Sequence, residues 1–246
     1  MSKLKQNPDV SPEDLFGTSA GAFGSTTQGI DLGAQFTTGD GRVFRYALVG
    51  ATALVPGQVY QGPAESTSTY ELLGVSTAVA TGATLVTIGS SVTIVANALA
   101  GGLMTVATST GSGYTYKIAA NTGVTSATGC VITLEDPLVT NLATTTQVNC
   151  YPNPYNGIIV CPTTLSSNPV GIAVAAVAAS SYGWIQTHGL VGALSDSSAP
   201  SPGLAITAST ATAGNIAKAT GTQVVIGYST QTQTSAKYGF VYLTID

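Results

Sequence analysis

The chain has 246 residues, of which eleven are acidic and seven basic, with a net charge of −4 and 44% hydrophobic residues. Its charged fraction of 7% stands against about 25% in ordinary globular domains, yet it is too apolar for a disordered chain, which pairs low hydrophobicity with high net charge. The few basic residues are scattered between Lys3 and Lys237 and make no stripe for a phosphate backbone, so no nucleic-acid partner is expected.

Residues 1–36 read as an extended N-terminal arm. Ser11-Pro12-Glu13-Asp14 is a helix-start signal: a Ser cap, Pro at the first helical position, and acids facing the positive helix end. Gly17 and Gly21 end that turn. Leu4, Val10, Leu15, Phe16, Phe23, Ile30 and Leu32 lie along the arm at wide, irregular intervals. A free linker needs no such anchors, so they predict contacts with another subunit. Asn7, Pro8, Asp9, Glu13 and Asp14 stand where a secretory signal would be apolar.

Gly39-Asp40-Gly41 predicts a turn, followed by a strand over 42–49 with partial two-residue alternation. Pro56-Gly57 turns the chain, 58–61 resumes it, and Gly62-Pro63 stops it. A block over 67–157 carries strand candidates at 84–88, 92–95, 103–107, 114–118, 130–134 and 146–150, with Tyr114, Tyr116 and Ile118 on one face. Pro152, Pro154 and Asn156-Gly157 predict its closing turn. The final block, 158–246, has candidates at 158–161, 171–178, 182–187, 203–208, 223–228 and 238–245, with a turn at 211–219. Short strands at this spacing predict an all-β fold, a small sandwich or barrel. Aromatic residues inside strands, among them Phe44, Tyr46 and Trp184, are expected as core anchors. The longest apolar stretches, 91–106 and 169–179, are interrupted or too short for a bilayer span, so no membrane is expected.

Chemistry is sparse. His188 is the single histidine, and a Ser-His-Asp arrangement would need Asp196 or Asp136 to orient it. Glu135 and Asp136 are adjacent on a strand end and point to opposite faces, so they cannot flank one glycosidic bond. Gly111-Ser112-Gly113 precedes a strand and reads as a hairpin turn rather than a phosphate loop. Asp31 and Asp40 are too sparse for calcium, and no Cys/His spacing suits zinc. Hence no catalytic residue, cofactor or metal is expected. Cys130, Cys150 and Cys161 leave two readings open: buried reduced thiols, or a Cys150–Cys161 bridge.

Several segments together resemble tailed-phage virion proteins: Asp40-Gly41-Arg42-Val43-Phe44-Arg45-Tyr46, Gly50-Ala51-Thr52-Ala53-Leu54, Gly57-Gln58-Val59-Tyr60, Tyr182-Gly183-Trp184-Ile185-Gln186 and Val225-Ile226-Gly227. Gly113-Tyr114-Thr115-Tyr116-Lys117-Ile118, Leu134-Glu135-Asp136-Pro137-Leu138 and Asn153-Pro154-Tyr155-Asn156-Gly157 add to it. The family is that of capsid decoration (cement) proteins. The resemblance implies a non-enzymatic β-rich subunit, often trimeric, made in the host cytoplasm. It would bind the major capsid protein on the outer capsid surface and stabilise the shell. It also implies a β-barrel-like core domain of residues 37–66 plus 158–246, with residues 67–157 inserted as a second, outward-facing β domain. The arm anchors would then touch the capsid or neighbouring copies. A tail or fibre component, or a host-surface module with weak glycan binding, is the competing expectation; an enzyme is disfavoured by the missing acid cluster.

Overall fold

A computed structural model describes residues 24–64, 70–89, 93–125, 129–198 and 200–246. The arm anchors Leu4, Val10, Leu15, Phe16 and Phe23, and the helix signal at 11–16, lie outside the described residues. The fold is all-β. Its strands are β1 (Gln35–Thr37), β2 (Val43–Val49), β3 (Val59–Gln61), β4 (Leu73–Gly74), β5 (Leu85–Ile88), β6 (Leu103–Val106), β7 (Thr115–Asn121) and β8 (Cys130–Leu134). They continue as β9 (Gln147–Tyr151), β10 (Asn156–Val160), β11 (Pro169–Ile172), β12 (Tyr182–Leu194), β13 (Ala205–Ala208), β14 (Ile216–Lys218), β15 (Gly227–Ser229) and β16 (Tyr238–Thr244).

The chain divides into two compact units, residues 1–63 with 154–246, and residues 64–153. The second bound therefore falls a few residues before the expected 67–157. The turn that ends the inserted unit also differs: Pro154 and Tyr155 turn the chain, and Asn156-Gly157 already opens β10.

The outer unit is built around β12. Strands β2, β10, β3, β11 and β12 pair in that order, and β12 pairs back onto β2, which closes a ring. The far half of β12 pairs with β16, which leads through β15 and β13 to β14. A parallel bridge from Ser195 to Ile216 returns β14 to the end of β12. One strand serves both rings because it bends: the register slips between Gln186 and His188. Gly189 follows with φ +87°, where a Cβ would stand 3.0 Å from the Arg42 side chain. A bulge plus a left-handed glycine is how a strand turns a barrel corner.

Each ring has its own core. Ala47, Val49, Leu54, Tyr60, Ile158, Val170, Val177 and Ile185 fill the first. Val59, Cys161, Ile172, Val191, Ile206, Ile216, Ile226, Val241 and Leu243 fill the second. On the other face of β2 and β12, Phe44, Tyr46 and Trp184 form a third buried cluster.

The inserted unit is antiparallel throughout, in the order β4-β9-β6-β7-β8-β5. A bridge between Val75 and Ile88 joins its two ends. Alternation explains the closure. In β8, Cys130, Ile132 and Leu134 are buried while Val131 and Thr133 are half-buried, so inward side chains of successive strands meet in one core with Val86, Ile88, Met104, Ile118 and Val148. Tyr116 and Ile118 join that core, but Tyr114 does not share it: the turn at Gly113 (φ +90°) leaves Tyr114 exposed ahead of β7.

Candidate functional site

The residues singled out from sequence separate into three places. Phe44, Tyr46 and Trp184 are all buried, with Tyr46 edge-on to Trp184 at 5.3 Å and stacked on Tyr182 at 5.9 Å. Ile30 and Leu32, expected to reach another subunit, pack on this cluster within their own chain, with Ala34 and Phe36. The reason is the third cluster itself. Three large aromatic side chains on the outer face of β2 and β12 need a cover, and the segment 24–37 supplies one. Ser25 bridges to Tyr182, and β1 pairs with β2. The arm as expected over 1–36 thus ends in a strap on its own sheet.

His188 sits inside β12, not at a strand end. Its Nε2 is 3.1 Å from the Tyr242 hydroxyl and its Nδ1 3.1 Å from the backbone oxygen of Asp246. Asp246 accepts from Thr187 Oγ1 at 2.6 Å and from Arg45 at 2.8 and 3.2 Å. Burial raises the Asp246 pKa, but the hydrogen bonds from Arg45 and Thr187, with the charges of Arg45 and His188, outweigh it and hold the carboxyl below its ordinary 3.8. Tyr155 is pushed up to about 12 by burial and then by the Asp246 charge. Arg45 also donates to the Gly33 carbonyl at 2.9 Å. The network ties the strap, β2, β12 and residue 246 together.

Asp196, the orienter a triad would need, is buried and accepts from the Ser198 N–H and hydroxyl and from the Ser209 hydroxyl. Glu135 pairs with Lys117 at 2.9 Å on the inserted unit. The three cysteines are free and buried, and no Cys150–Cys161 bridge forms: Cys150 belongs to the core of the inserted unit and Cys161 to a core of the outer one. Burial pushes Cys150 and Cys161 each up to about 12, so both stay protonated and inert. Among the described residues no three metal-ligating side chains gather, and no helix is long and apolar enough to cross a membrane.

What remains is surface. On the outer unit an aromatic row runs along β16. Tyr238 and Phe240 are 62% and 52% exposed. Tyr242 stacks on Tyr228 of β15 at 5.2 Å. Beside the row, Leu190, Gly192 and Leu194 of β12 stand opposite Tyr242, Phe240 and Tyr238. A groove of about 330 Å³ opens there, lined by Arg42, Val174, Gln186, Leu190, Tyr238 and Phe240 among others.

No family model, no curated protein and no solved structure matches the chain.

Sequence reading gave none of the groove residues a functional role, although Arg42, Gly57 and Gln186 stand in the segments that carry the resemblance. The i, i+2 spacing of Tyr238, Phe240 and Tyr242 was the available signal. It marks one strand face, but alternation alone does not say whether that face is inward or outward. The other side of the groove lies in the half of β12 that Gly189 and Gly192 disguise as a turn.

Proposed function

We propose that this chain is a structural virion protein of the capsid-decoration type, which coats a phage shell by binding the major capsid protein and neighbouring copies of itself, as a trimer. The observation that supports this reading most is the balance of the surface. Among the described residues fifteen large apolar side chains are exposed, while three ion pairs are formed. Leu72, Leu85, Val95, Leu103, Tyr114 and Val139 are exposed on the inserted unit, and Val224, Val225 and Tyr228 on the outer one, apart from the groove. Exposed apolar side chains mark partner surfaces where they adjoin one another. Uncharged faces also pack without stripping water from ions, which is costly when the ions are poorly compensated. The resemblance in segments 40–60, 113–118 and 182–186 supplies the kind of partner.

The test is co-sedimentation of the purified chain with undecorated phage heads, with gold labelling to locate it. The expected result is saturable binding to the outer shell and a sedimentation mass of three copies. A chain that stays in the supernatant with heads of every phage whose genome encodes a close relative would overturn the reading.

A second reading, a host-surface module that binds glycans, is favoured by one specific observation: the groove beside Tyr238 and Phe240.

A further inference from the structure

We infer that the groove between β12 and β16 is a binding site for one pyranose ring of a neutral glycan, an inference that rests on the second reading and leaves the coat reading intact. Three independent features carry it.

The first is a glycine the fold does not need. Gly192 lies opposite Phe240 in the β12–β16 ladder. A Cβ at Gly192 would meet nothing within 4 Å, and its φ lies outside the left-handed region. Neither backbone geometry nor crowding asks for glycine here, and a strand interior normally disfavours it. The missing side chain instead leaves open the space between Leu190 and Leu194, in front of the Phe240 ring. Gly57, in contrast, is held by contact: its Cβ would come within 2.5 Å of the Tyr238 ring. That turn seats Tyr238 at the groove wall, so the wall is fixed before a ligand arrives.

The second is an unanswered acceptor. Gln186 is wholly buried and lines the groove. Its Nε2 donates to the His188 and Leu190 carbonyls at 2.9 and 3.0 Å, which fixes the orientation of the amide. Its Oε1 has no hydrogen-bond partner among the described residues. A buried amide oxygen without a donor is costly, and because the Gln186 side chain is closed to solvent in this conformation, a hydroxyl from outside the chain answers it only as the groove floor gives way. Gln186 sits at the register slip of β12, where bulges re-aim side chains beside sites.

The third is charge. The one cation in the lining, Arg42, is already paired with Asp40 at 2.8 Å and lies 5.7 Å over the Phe44 ring. The groove therefore offers a neutral ligand an apolar wall and an acceptor, and offers an anion no free countercharge. A neutral pyranose matches that combination: its C–H face lies on Phe240 and Tyr238, and its hydroxyl groups are the donors that Gln186 lacks.

The experiment uses saturation-transfer NMR on the full chain with the methyl glycosides of glucose, galactose, mannose and N-acetylglucosamine as separate probes. At least one should show saturable binding, weakened at least tenfold in Gly192→Val and in Phe240→Ala. Gly192→Val fills open space on a strand, so its melting temperature should match the wild type, which separates a blocked groove from a misfolded chain. No saturable signal from any of the four probes would overturn the inference, as would unchanged binding in folded Gly192→Val. So would a wild-type oligomer that Gly192→Val dissociates, because a second copy would then fill the groove. Shell co-sedimentation by Gly192→Val reports on the coat reading separately: it should equal the wild type whether or not the sugar binds.

Discussion

Arg45 shows where this chain places its scarce charge. Its guanidinium holds both carboxylate oxygens of Asp246 and the Gly33 carbonyl, with the Arg45 and Asp246 side chains only 26% and 23% exposed. Charge-assisted bonds at such a site are worth more than a surface ion pair. Arg45→Ala should therefore lower stability by roughly 1–3 kcal/mol, read from urea melts. The pH dependence follows from Asp246. Its folded pKa lies below the ordinary 3.8, so its contribution is complete above that value and is lost as pH falls through the lower folded value. The stability gap between wild type and Asp246→Asn should shrink as pH falls below the ordinary carboxylate value of 3.8; a gap that widens there would contradict the assignment. Trp184, packed between Tyr46 and Phe36 at ring distances of 5.3 and 5.9 Å, should cost about 3–5 kcal/mol when cut to Ala.

At the scale of elements, the strap over 24–37 and the bent strand β12 decide how the aromatic cluster is buried. The strap was legible as a segment with apolar anchors, but not as a cover for its own sheet. Ile30, Leu32, Ala34 and Phe36 look equally suited to a neighbour until Phe44, Tyr46 and Trp184 are seen to share one outer face. A chain beginning at Gly39 should bind a hydrophobic dye and melt well below a chain beginning at Gly24, because only the shorter one uncovers that cluster. Equal melting of the two would show that the strap adds nothing. Strand β8 was legible to the residue because Cys130 to Leu134 alternate cleanly and Gly129 precedes them. Residue 92 of the 92–95 candidate lies outside the described residues, and 93–95 form no strand: Ile94 makes one isolated bridge, to Val124. The segment 211–219 looked like a turn, yet β14 forms there because Ile216, Ala217 and Lys218 find Ala208, Thr207 and Ile206 across from them. Three residues with a lysine carry too little pattern to announce a strand; the partner supplies it.

At the scale of the whole chain, the inserted unit has a core of its own and strands that pair only with one another. Expressed alone, residues 64–153 should give a β-type circular dichroism spectrum and one cooperative melt. A fragment without a melting transition would mean that the unit depends on the rest of the chain. Its two cysteines, Cys130 and Cys150, are buried, so in the intact protein they should react with a thiol reagent only once denaturant is added.

Composition and alternation alone determined that the chain is β-structured and poor in the titratable groups that catalysis gathers, with a middle block expected over 67–157. These are local properties, set by β-branched and alternating residues and by the glycines and prolines between them. Tertiary structure alone decided which strand faces look inward, that the strap covers its own sheet, and that Gly192, Gln186 and Phe240 meet across one groove. Residues 186 and 240 are far apart in sequence, and only the β12–β16 register brings Phe240 opposite the gap at Gly192. The scarcity of charge was visible in the letters; that the Gln186 and Gln233 amide oxygens are left unanswered was not, because hydrogen-bond satisfaction exists only once the chain has folded.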